Sequence, residues 1–413
     1  MISGEYPWPV NSGSRLRLLT ILRGLRRCGP TELFSVLPNG RSDIDPPDPE
    51  LGLERVGQVG FDDRPPTGPG MIKALAGSAL PLELPTGDSP RVCRDLVRFA
   101  SGHYDLIWYF GVRAWALTGS AMAAPSVVDL VDLEDRKIAA RLSVPRAPAR
   151  GPAARLRQRG ARALSEEEIR RWRRLQRRAA SSARATVVCS DLDAARAIED
   201  HLDRVMVVPN AYRRPDPPVG GVEVGSPPTV LFQGTLRYPP NAEGARFLVN
   251  EVGPELRRLV PDVQVRLVGV STPSLEHLDD PPRVTLVGRV DDITDELARA
   301  DVVVVPLRFG SGTRLKVLEA FAHRIPVVST TLGAEGLGAV DGVHLLLADE
   351  PESVAAAVAR LLADTELRRS LTDRAHQLYL DHYDEALVER RVADLARAVV
   401  SGAEVAGSIG SPH

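Results

Sequence analysis

The residues best suited to chemistry in this sequence lie within residues 306–330, where a glycine-bearing turn precedes a charged helix. The run Gly310-Ser311-Gly312-Thr313 lets the backbone approach a ligand closely, because glycine has no Cβ. The N-terminus of the following helix offers unpaired N–H groups and a positive dipole end, which suit a phosphate. Lys316 and Glu319 are three residues apart, so they share one face of that helix. A cation for phosphate beside a carboxylate for sugar hydroxyls predicts a nucleotide-sugar site.

Lysine is rare in this chain, which makes Lys316 informative. Of the 52 basic residues, only Lys73, Lys137 and Lys316 are lysines. The lysine ammonium is a compact point charge and the arginine guanidinium a planar fork, so the two are not interchangeable at a phosphate. A retained lysine beside a predicted phosphate turn favours a functional role, with chance placement as the alternative.

The composition is that of a globular protein with no overall bias toward nucleic acid. At 413 residues the chain is long enough for two domains, and 43% of its residues are hydrophobic. The net charge of −2 gives no general attraction to a polyanion. The three cysteines lack metal-ligand spacing, no apolar run is long enough to span a membrane, and the N-terminus lacks a signal-peptide pattern. These features predict a cytoplasmic location.

Strand and helix signals alternate over most of the length, which predicts an α/β fold with parallel sheets. In the C-terminal half, strands are predicted at residues 229–232, 263–268, 284–287, 301–305, 325–329 and 344–347. Helices are predicted near residues 242–259, 293–299 and 351–400. This alternation is typical of a doubly wound, Rossmann-like domain.

The N-terminal half shows the same alternation less regularly. A helix is predicted at residues 15–27, a Pro/Gly-rich loop at residues 46–70, and strands at residues 31–37, 105–108, 126–130 and 185–189. Only Met1 and Ile2 precede the first polar loop. Either the first strand is very short or the chain begins downstream of its natural start.

Proline and glycine accumulate in residues 210–228 and predict a break between two domains. We place an N-terminal domain at residues 1–212, a linker at residues 213–228 and a C-terminal domain at residues 229–400, whose last helix can return to the first domain. The small, polar tail at residues 401–413 is expected to be disordered. Two doubly wound domains are expected to face each other across a cleft at the carboxyl ends of their strands.

Several segments, in order, resemble the glycosyltransferases of the GT-B fold, family four (group 1). They are most similar to the branch of bacterial exopolysaccharide and surface-glycan sugar transferases. The C-terminal segments are VLFQGTLRYPPNAEGARFL (230–248), VTLVGRVDDI (284–293) and DVVVVPLRFGSGTRLKVLEAFAHRIPVVSTTLGAEGL (301–337). Other matches are EYPWPVNSGSRLRLLTILRGL (5–25), VVDLVDLEDRK (127–137), ATVVCSDLDAARA (185–197) and VVPNAY (207–212).

The resemblance implies a retaining transferase that moves a sugar from a nucleotide-diphosphate donor to a glycan or lipid-linked acceptor, without a metal or other cofactor. The candidate catalytic residues are Lys316 and Arg314, implied to neutralise the departing diphosphate, and Asp132, which lies near the acceptor in the match. The implied donor-binding residues are Gly234, Thr235, Asp291, Gly310, Ser311, Gly312, Thr313 and Glu319. Gly13 and Arg17 are implied to line the acceptor side.

The sequence departs from the family pattern in three places. Ser311 stands eight residues before Glu319, where most members have a second glutamate, although the most similar branch lacks it too. The run His323-Arg324 replaces a helix-ending glycine with positive φ, and arginine in that conformation costs about 1 kcal/mol. The histidine often found near the acceptor is missing, and Asp132 and Glu134 lie nearby in the match.

We expect Asp129, Asp132 and Glu134 to share one face of an extended strand, where they orient an acceptor hydroxyl. The alternative is a solvated loop with a helix cap at Asp135. A metal site formed by these carboxylates would need an oxygen-rich geometry, and no metal is expected.

Residues 136–184 carry 16 basic and 3 acidic residues, a net charge of +13. No recognition motif accompanies this segment, so no nucleic-acid partner is expected. A basic surface that includes Trp172 suits an anionic membrane, which predicts peripheral association with the inner membrane face. The alternative is a solvated, arginine-rich insertion.

Two other functions remain open. A sugar-nucleotide 2-epimerase shares the fold class, but it needs acid–base residues in the cleft and no histidine cluster supplies them. The second is a degenerate, non-catalytic binding or scaffold protein, which Ser311 and the short N-terminal strand favour.

Overall fold

Parallel strands alternate with helices along the chain. The computed structural model describes residues 1–39, 45–62, 80–84, 89–100, 102–119, 121–143, 151–221, 223–310, 312 and 314–403. The chain forms two compact units, one of Met1–Pro209 together with Val388–His413, and the other of Asn210–Leu387. Each unit holds its own parallel sheet.

The first unit is built on seven strands, counted over the described residues. They are β1 (Ile2–Ser3), β2 (Glu32–Pro38), β3 (Arg55–Phe61), β4 (Ile107–Phe110), β5 (Ser126–Asp129), β6 (Ala185–Val188) and β7 (Val205–Val207), in the sheet order β3-β2-β1-β4-β5-β6-β7. The helices are α1 (Gly13–Arg26), α2 (Ser89–Phe99), α3 (Val112–Thr118), α4 (Glu134–Ser143), α5 (Pro152–Ser182) and α6 (Asp191–Glu199). Strands β4 and β6 are buried along their whole length, as expected for a parallel sheet covered by helices on both faces.

The second unit has a six-stranded sheet in its described residues. Its strands are β8 (Thr229–Gln233), β9 (Gln264–Val268), β10 (Val284–Gly288), β11 (Val302–Val305), β12 (Val327–Ser329) and β13 (Leu346–Leu347), in the order β10-β9-β8-β11-β12-β13. The helices are α7 (Pro239–Arg246), α8 (Gly253–Leu259), α9 (Thr294–Ala298), α10 (Leu315–Ala322), α11 (Pro351–Ala363), α12 (Thr365–His382) and α13 (Glu385–Ser401). From Val388 onward, α13 belongs to the first unit.

Both sheets reverse their direction of growth at the first strand of the unit. Strand β1 pairs with β2 on one side and β4 on the other, and β8 pairs with β9 and β11 in the same way. The carboxyl end beside such a reversal is the usual ligand position in an open α/β sheet. The reversal at β8 therefore predicts a ligand site at the end of that strand.

The loop predicted at residues 46–70 is wrong in part, because β3 (Arg55–Phe61) lies within it. Glycines at 57 and 60 suggested turns, yet Gly57 serves packing, since a Cβ there would lie 2.5 Å from the Phe99 ring. Strand β3 pairs with β2 alone and forms the edge of the sheet, where a strand with few apolar residues is tolerated. Strand β7 at the opposite edge was also not predicted.

Most other predicted elements are present with shifted ends. The strand predicted at residues 105–108 occupies Ile107–Phe110, and the helix predicted near residues 242–259 begins at Pro239, a favoured first helical residue. That helix is interrupted by a π-helical segment at Phe247–Val252. Strand β1 comprises only Ile2–Ser3 but is hydrogen-bonded on both sides. The predicted disordered tail lies outside the described residues from residue 404 onward.

Candidate functional site

The site of the second unit begins with a glycine at the end of strand β8. Gly234 adopts φ 142°, and Gly269, which follows β9, adopts φ 135°. A Cβ on Gly269 would collide with the carbonyl oxygen of Gly234, so the two strand ends approach each other backbone to backbone. The Gly269 N–H donates to Gly288 O at 2.7 Å, which extends this bare backbone to the end of β10.

Lys316 places its ammonium directly over this glycine backbone. A Cβ on Gly234 would lie 3.1 Å from Lys316 Nζ. The Nζ atom donates to Asn241 Oδ1 at 2.8 Å and lies 4.5 Å from the centre of the Phe232 ring. Helix α10 thus brings the predicted cation to the end of β8, where Gly234 leaves room for a ligand beside it.

Burial, together with the nearby Arg314 charge, lowers the pKa of Lys316 to about 7, and the Glu319 charge opposes this shift. Two cations are therefore held close together in a poorly hydrated place. An anion is the ligand that such a pair requires, because it offsets both the desolvation and the mutual repulsion.

Asn241 connects Lys316 to the turn after β8. It lies on α7, is buried, accepts from Lys316 through Oδ1 and donates through Nδ2 to Thr235 O at 3.0 Å. The sequence prediction assigned no role to Asn241, although it lies within the quoted segment 230–248. The sequence feature that could have indicated a role is the position of this amide, beside prolines and an alanine in the first turn of a helix.

Glu319 lies one turn after Lys316 on α10, and a neutral donor holds its carboxylate. Gln233 Nε2 donates to Glu319 Oε2 at 3.2 Å, and Tyr212 and Lys316 also influence the ionisation of this carboxylate. Burial raises the pKa of Glu319, and the interactions with Gln233, Tyr212 and Lys316 oppose the rise. Gln233 and Tyr212 were not predicted as site residues.

The glycine turn before α10 is formed as predicted at the positions that the structure describes. Gly310 has φ 122° and Gly312 has φ 86°, conformations that side-chain-bearing residues rarely adopt. A Cβ on Gly310 would lie 3.2 Å from Pro240 and 3.7 Å from a guanidinium nitrogen of Arg314. Arg314 is buried and donates to Leu332 O at 3.4 Å. Ser311 and Thr313, both predicted donor residues, lie outside the described residues.

The structure does not bring Asp291 into the cluster. Its side chain is 99% exposed and lies 3.9 Å from Arg289. The next residue, Asp292, interacts electrostatically with Glu319, Tyr212 and His323. The backbone N–H of Thr294 lowers the pKa of Asp292 and keeps it ionised. Of these two neighbouring aspartates, Asp292 is therefore the one that interacts with the cluster.

In the first unit, Arg17 is engaged in a buried ion pair. Its Nη2 atom lies 3.0 Å from both carboxylate oxygens of Asp129, and its Nη1 donates to Val208 O at 2.8 Å. The two side chains are 2% and 0% exposed. The geometry therefore shows Arg17 bound within the first unit, through both Nη atoms, and not in the implied acceptor contact. Gly13 lies in the first turn of α1, after the N-cap Ser12.

The expected strand face of Asp129, Asp132 and Glu134 is wrong. Strand β5 ends at Asp129, Val131 adopts φ 60°, and Glu134 begins α4. Asp132 lies in the turn between them, 3.6 Å from Lys137 Nζ, which also lies 3.8 Å from Glu134. Within the described residues, no group of three or more His, Cys, Asp or Glu side chains could hold a metal ion.

The larger part of the basic segment lies in the 31-residue helix α5, which divides into two parts. Trp172 is fully buried in the core of the first unit, so it is not a membrane-facing residue as proposed from the sequence. Arg173 pairs with Asp135 at 2.8 Å, and Arg171 is buried. The N-terminal part is exposed and carries Arg155, Arg157, Arg159 and Arg162. Across the described residues, no helix is long and apolar enough to cross a membrane.

The sequence of the second unit matches a known family. Residues 227–364 match the family described as glycosyl transferases group 1. This region is a group 1 glycosyl transferase domain. It contains the glycine-rich strand ends, Asn241, Arg314, Lys316 and Glu319, so the cluster lies inside the matched domain.

Two curated relatives match parts of this chain. A phosphatidyl-myo-inositol mannosyltransferase from Mycolicibacterium smegmatis is 30% identical over 184 residues, which cover 43% of this chain and 46% of the relative. An exopolysaccharide phosphotransferase from Streptomyces coelicolor is 35% identical over 97 residues, which cover 23% of this chain and 10% of the relative. The chain therefore spans less than half of the length of these relatives.

Solved structures match almost the whole chain. Sucrose-phosphate synthase from Thermosynechococcus elongatus superposes with a TM-score of 0.68 at 16% identity, covering 97% of this chain and 99% of that one. Anabaena HepE in complex with UDP and glucose gives a TM-score of 0.62 at 16% identity, covering 96% and 98%. These similarities confirm the predicted fold class, two Rossmann-like α/β domains of the GT-B type.

Proposed function

We propose that this protein is a retaining hexosyltransferase that moves a sugar from a nucleotide-diphosphate donor to a glycan or lipid-linked acceptor. The observation that carries the proposal is the Lys316 ammonium, held by Asn241 over the bare backbone of Gly234. A diphosphate fits there because it presents negative oxygens to a partly desolvated cation and to nearby backbone N–H groups. The name of the HepE complex, with UDP and glucose, supports a sugar nucleotide as the donor.

The chemical demand in such a reaction is to stabilise the charge that develops on the departing diphosphate. Lys316 supplies a positive charge, Arg314 supplies a second, and the N-terminus of α10 adds its dipole. These groups are fixed before the donor arrives, so little reorganisation is needed at the moment of bond cleavage. We propose that they act without a metal ion.

Glu319 is proposed to accept hydrogen bonds from donor hydroxyls. A carboxylate has about four lone-pair positions, and the hydrogen bond from Gln233 occupies only one of them. The carboxylate is partly buried. A sugar nucleotide without a hydroxyl group at this position would exclude water from the carboxylate and offer no hydrogen bond in return. This arrangement discriminates in favour of ligands with hydroxyl groups.

The acceptor is proposed to bind in the first unit, near Asp132. The mannosyltransferase and exopolysaccharide relatives support an acceptor of the lipid-linked or polysaccharide kind, in surface-glycan synthesis. The exposed arginines of α5 support peripheral association with the anionic, cytoplasmic face of a membrane, where such acceptors are presented.

The proposal is tested by incubating the protein with a panel of nucleotide sugars and measuring the release of nucleoside diphosphate, with and without an extract of lipid-linked acceptors. Proton NMR of the product reports whether the anomeric configuration is retained. We expect one nucleotide sugar to release nucleoside diphosphate, and its product to retain the anomeric configuration of the donor. Donor binding without any release would instead support a non-catalytic binding protein, which Ser311 favours. A product with inverted anomeric configuration would contradict the retaining mechanism but not the transferase activity.

A further inference from the structure

A single buried amide joins the end of strand β8 to helix α10. Gln233 is the last residue of β8 and is only 4% exposed. Its Nε2 atom donates to Glu319 Oε2 at 3.2 Å and to Lys316 O at 3.4 Å. One side chain therefore fixes both the carboxylate of Glu319 and the helical turn that carries it, relative to the strand end at which Gly234 begins the site.

The orientation of this amide is determined by its two partners. A carboxylate oxygen and a main-chain carbonyl oxygen are both acceptors, so only the NH2 group of Gln233 can face them. The amide oxygen, Oε1, is buried and has no hydrogen-bond partner. Buried polar atoms are almost always paired, and an unpaired one is unfavourable for folding. A methionine would fill a similar volume without this unpaired acceptor, so the glutamine is explained by what its N–H groups hold.

The Gln233 amide also competes with an ion pair on helix α10. Lys316 and Glu319 are three residues apart, a spacing at which a lysine and a glutamate can pair. In the structure the Lys316 ammonium instead donates to Asn241 Oδ1 at 2.8 Å, and the Glu319 carboxylate accepts from Gln233. Two neutral amides thus hold the two charges separately. A direct ion pair would occupy each charge with the other and make both less available to a ligand.

We propose that Gln233 is a positioning residue, which holds the Glu319 carboxylate in the orientation that accepts hydrogen bonds from the hydroxyl groups of the sugar nucleotide. The proposal rests on the proposed function, since it assigns Glu319 to the donor. Gln233 itself is not expected to contact the donor, because its amide oxygen is buried and its NH2 group is engaged by protein oxygens. Its effect on the reaction therefore passes through Glu319.

The first test compares Gln233→Met with Gln377→Met, a control that removes the same kind of hydrogen bond elsewhere in the second unit. Gln377 Nε2 donates to Asp381 Oδ1 at 2.8 Å on the exposed surface of α12. We expect Gln233→Met to raise the donor KM about tenfold, the effect of losing one hydrogen bond to a charged group, with a smaller change in kcat. Gln377→Met should leave the donor KM unchanged. An unchanged donor KM in Gln233→Met would overturn the proposal.

A double-mutant cycle with Glu319→Gln shows whether Gln233 acts through the carboxylate. We expect Gln233→Met to have little further effect on the donor KM once Glu319 is replaced, because the charge that it positions is gone. Effects that multiply would overturn the proposal. If Glu319→Gln does not change the donor KM, Glu319 does not bind the donor and the proposal fails with it. The proposed function is judged separately, by nucleoside diphosphate release from the parent protein.

The pH profile gives a readout that a loss of packing would not move. The ionisable groups that face the Glu319 carboxylate are Lys316 on α10, Tyr212 at the start of the second unit and Asp292 after β10. Burial raises the pKa of Glu319, and the hydrogen bond from Gln233 opposes the rise. In Gln233→Met, the acid limb of the kcat/KM profile should therefore move to higher pH.

Gln233→Glu provides a second variant that keeps the shape of the side chain. It places another carboxyl group against Glu319, and two neighbouring carboxylates raise the pKa of one of them. We expect this variant to move the acid limb further than Gln233→Met does, in the same direction, and it carries the test alone if Gln233→Met does not fold. An unmoved acid limb in the folded variants would overturn the proposal, even if thermal unfolding shows that they are less stable.

Discussion

Lys316 Nζ lies 2.8 Å from Asn241 Oδ1, and this hydrogen bond joins α10 to α7 across the end of strand β8. Asn241 is buried and also donates to Thr235 O, so it fixes the ammonium relative to the turn that follows the strand. The charge is thus held in place by a neutral amide, which leaves it available to an anionic ligand. The proposed leaving-group role of Lys316 depends on this arrangement.

Replacing Lys316 with methionine should abolish most of the activity. Lys316→Met keeps the length of the side chain and removes the charge that offsets the departing diphosphate. We expect kcat to fall about 100- to 1000-fold, measured as nucleoside diphosphate release under donor saturation. Arg258→Met, which removes an exposed cation from the same unit, is the control and should keep normal kcat.

The same Lys316→Met variant should be at least as stable as the parent protein. Burial holds the pKa of Lys316 at about 7, well below its unfolded value, so the charged form is disfavoured in the folded state. The loss of folding stability caused by burying the charged ammonium is fully present below pH 7, and it decreases as the pH rises toward 10.5. A variant that is both unfolded and inactive would leave no support for a specific role of the lysine.

Donor binding should be coupled to proton uptake above neutral pH. The Lys316 pKa is about 7 in the ligand-free protein, so at pH 8 the amine is mostly neutral. A bound diphosphate raises this pKa, and up to about one proton is taken up at pH 8 and almost none at pH 5.5. Calorimetry in two buffers of different ionisation enthalpy measures this. Equal binding enthalpies in the two buffers at pH 8 would refute the proton uptake. In Lys316→Met, the difference between the two buffers should disappear.

Arg324 should be replaceable by glycine with a gain in stability. It follows helix α10 with φ 60°, the left-handed conformation in which a side chain costs about 1 kcal/mol. Its ion pair with Asp373 at 2.7 Å is exposed and therefore weak. We expect Arg324→Gly to exceed Arg324→Ala in free energy of unfolding by about 1 kcal/mol. Equal stability of the two variants would show that the backbone is not strained.

The exposed part of α5 should bind anionic vesicles. Replacing Arg155, Arg157, Arg159 and Arg162 with glutamine should weaken sedimentation with phosphatidylserine vesicles at least about tenfold, since each basic residue near the surface contributes about 1 kcal/mol. Removing four exposed arginines from the second unit should have little effect, and suitable ones are Arg258, Arg283, Arg299 and Arg369. Binding that is insensitive to salt, or equally weakened in both variants, would argue against this surface.

The sequence was most informative where the site is local. Gly310, Lys316 and Glu319 lie within ten residues, so their common helix and preceding turn could be predicted from spacing alone. Asn241 and Gln233 were missed because they lie 75 and 86 residues from their partners on α10. Sequence spacing carries no information about which distant amide will meet a given charge.

The same limit explains the errors in the first unit. The family resemblance placed Arg17 on the acceptor side, but in the structure it forms a buried ion pair with Asp129, which is 112 residues away. Trp172 was read as exposed because the surrounding residues are basic, yet one face of α5 packs into the core. The His323-Arg324 prediction succeeded because a helix end without glycine is a local feature, and Arg324 does adopt positive φ.

The central claim is that the cluster around Lys316 binds a nucleotide sugar. Thermal unfolding of the whole chain against a panel of nucleotide sugars, run in parallel on Lys316→Met and Arg258→Met, tests it most directly. At about 100 times Kd, we expect one donor to raise the Tm of the parent protein and of Arg258→Met by about 5 °C, and to leave Lys316→Met unchanged. A panel without any shift, or an equal shift in Lys316→Met, would contradict the claim.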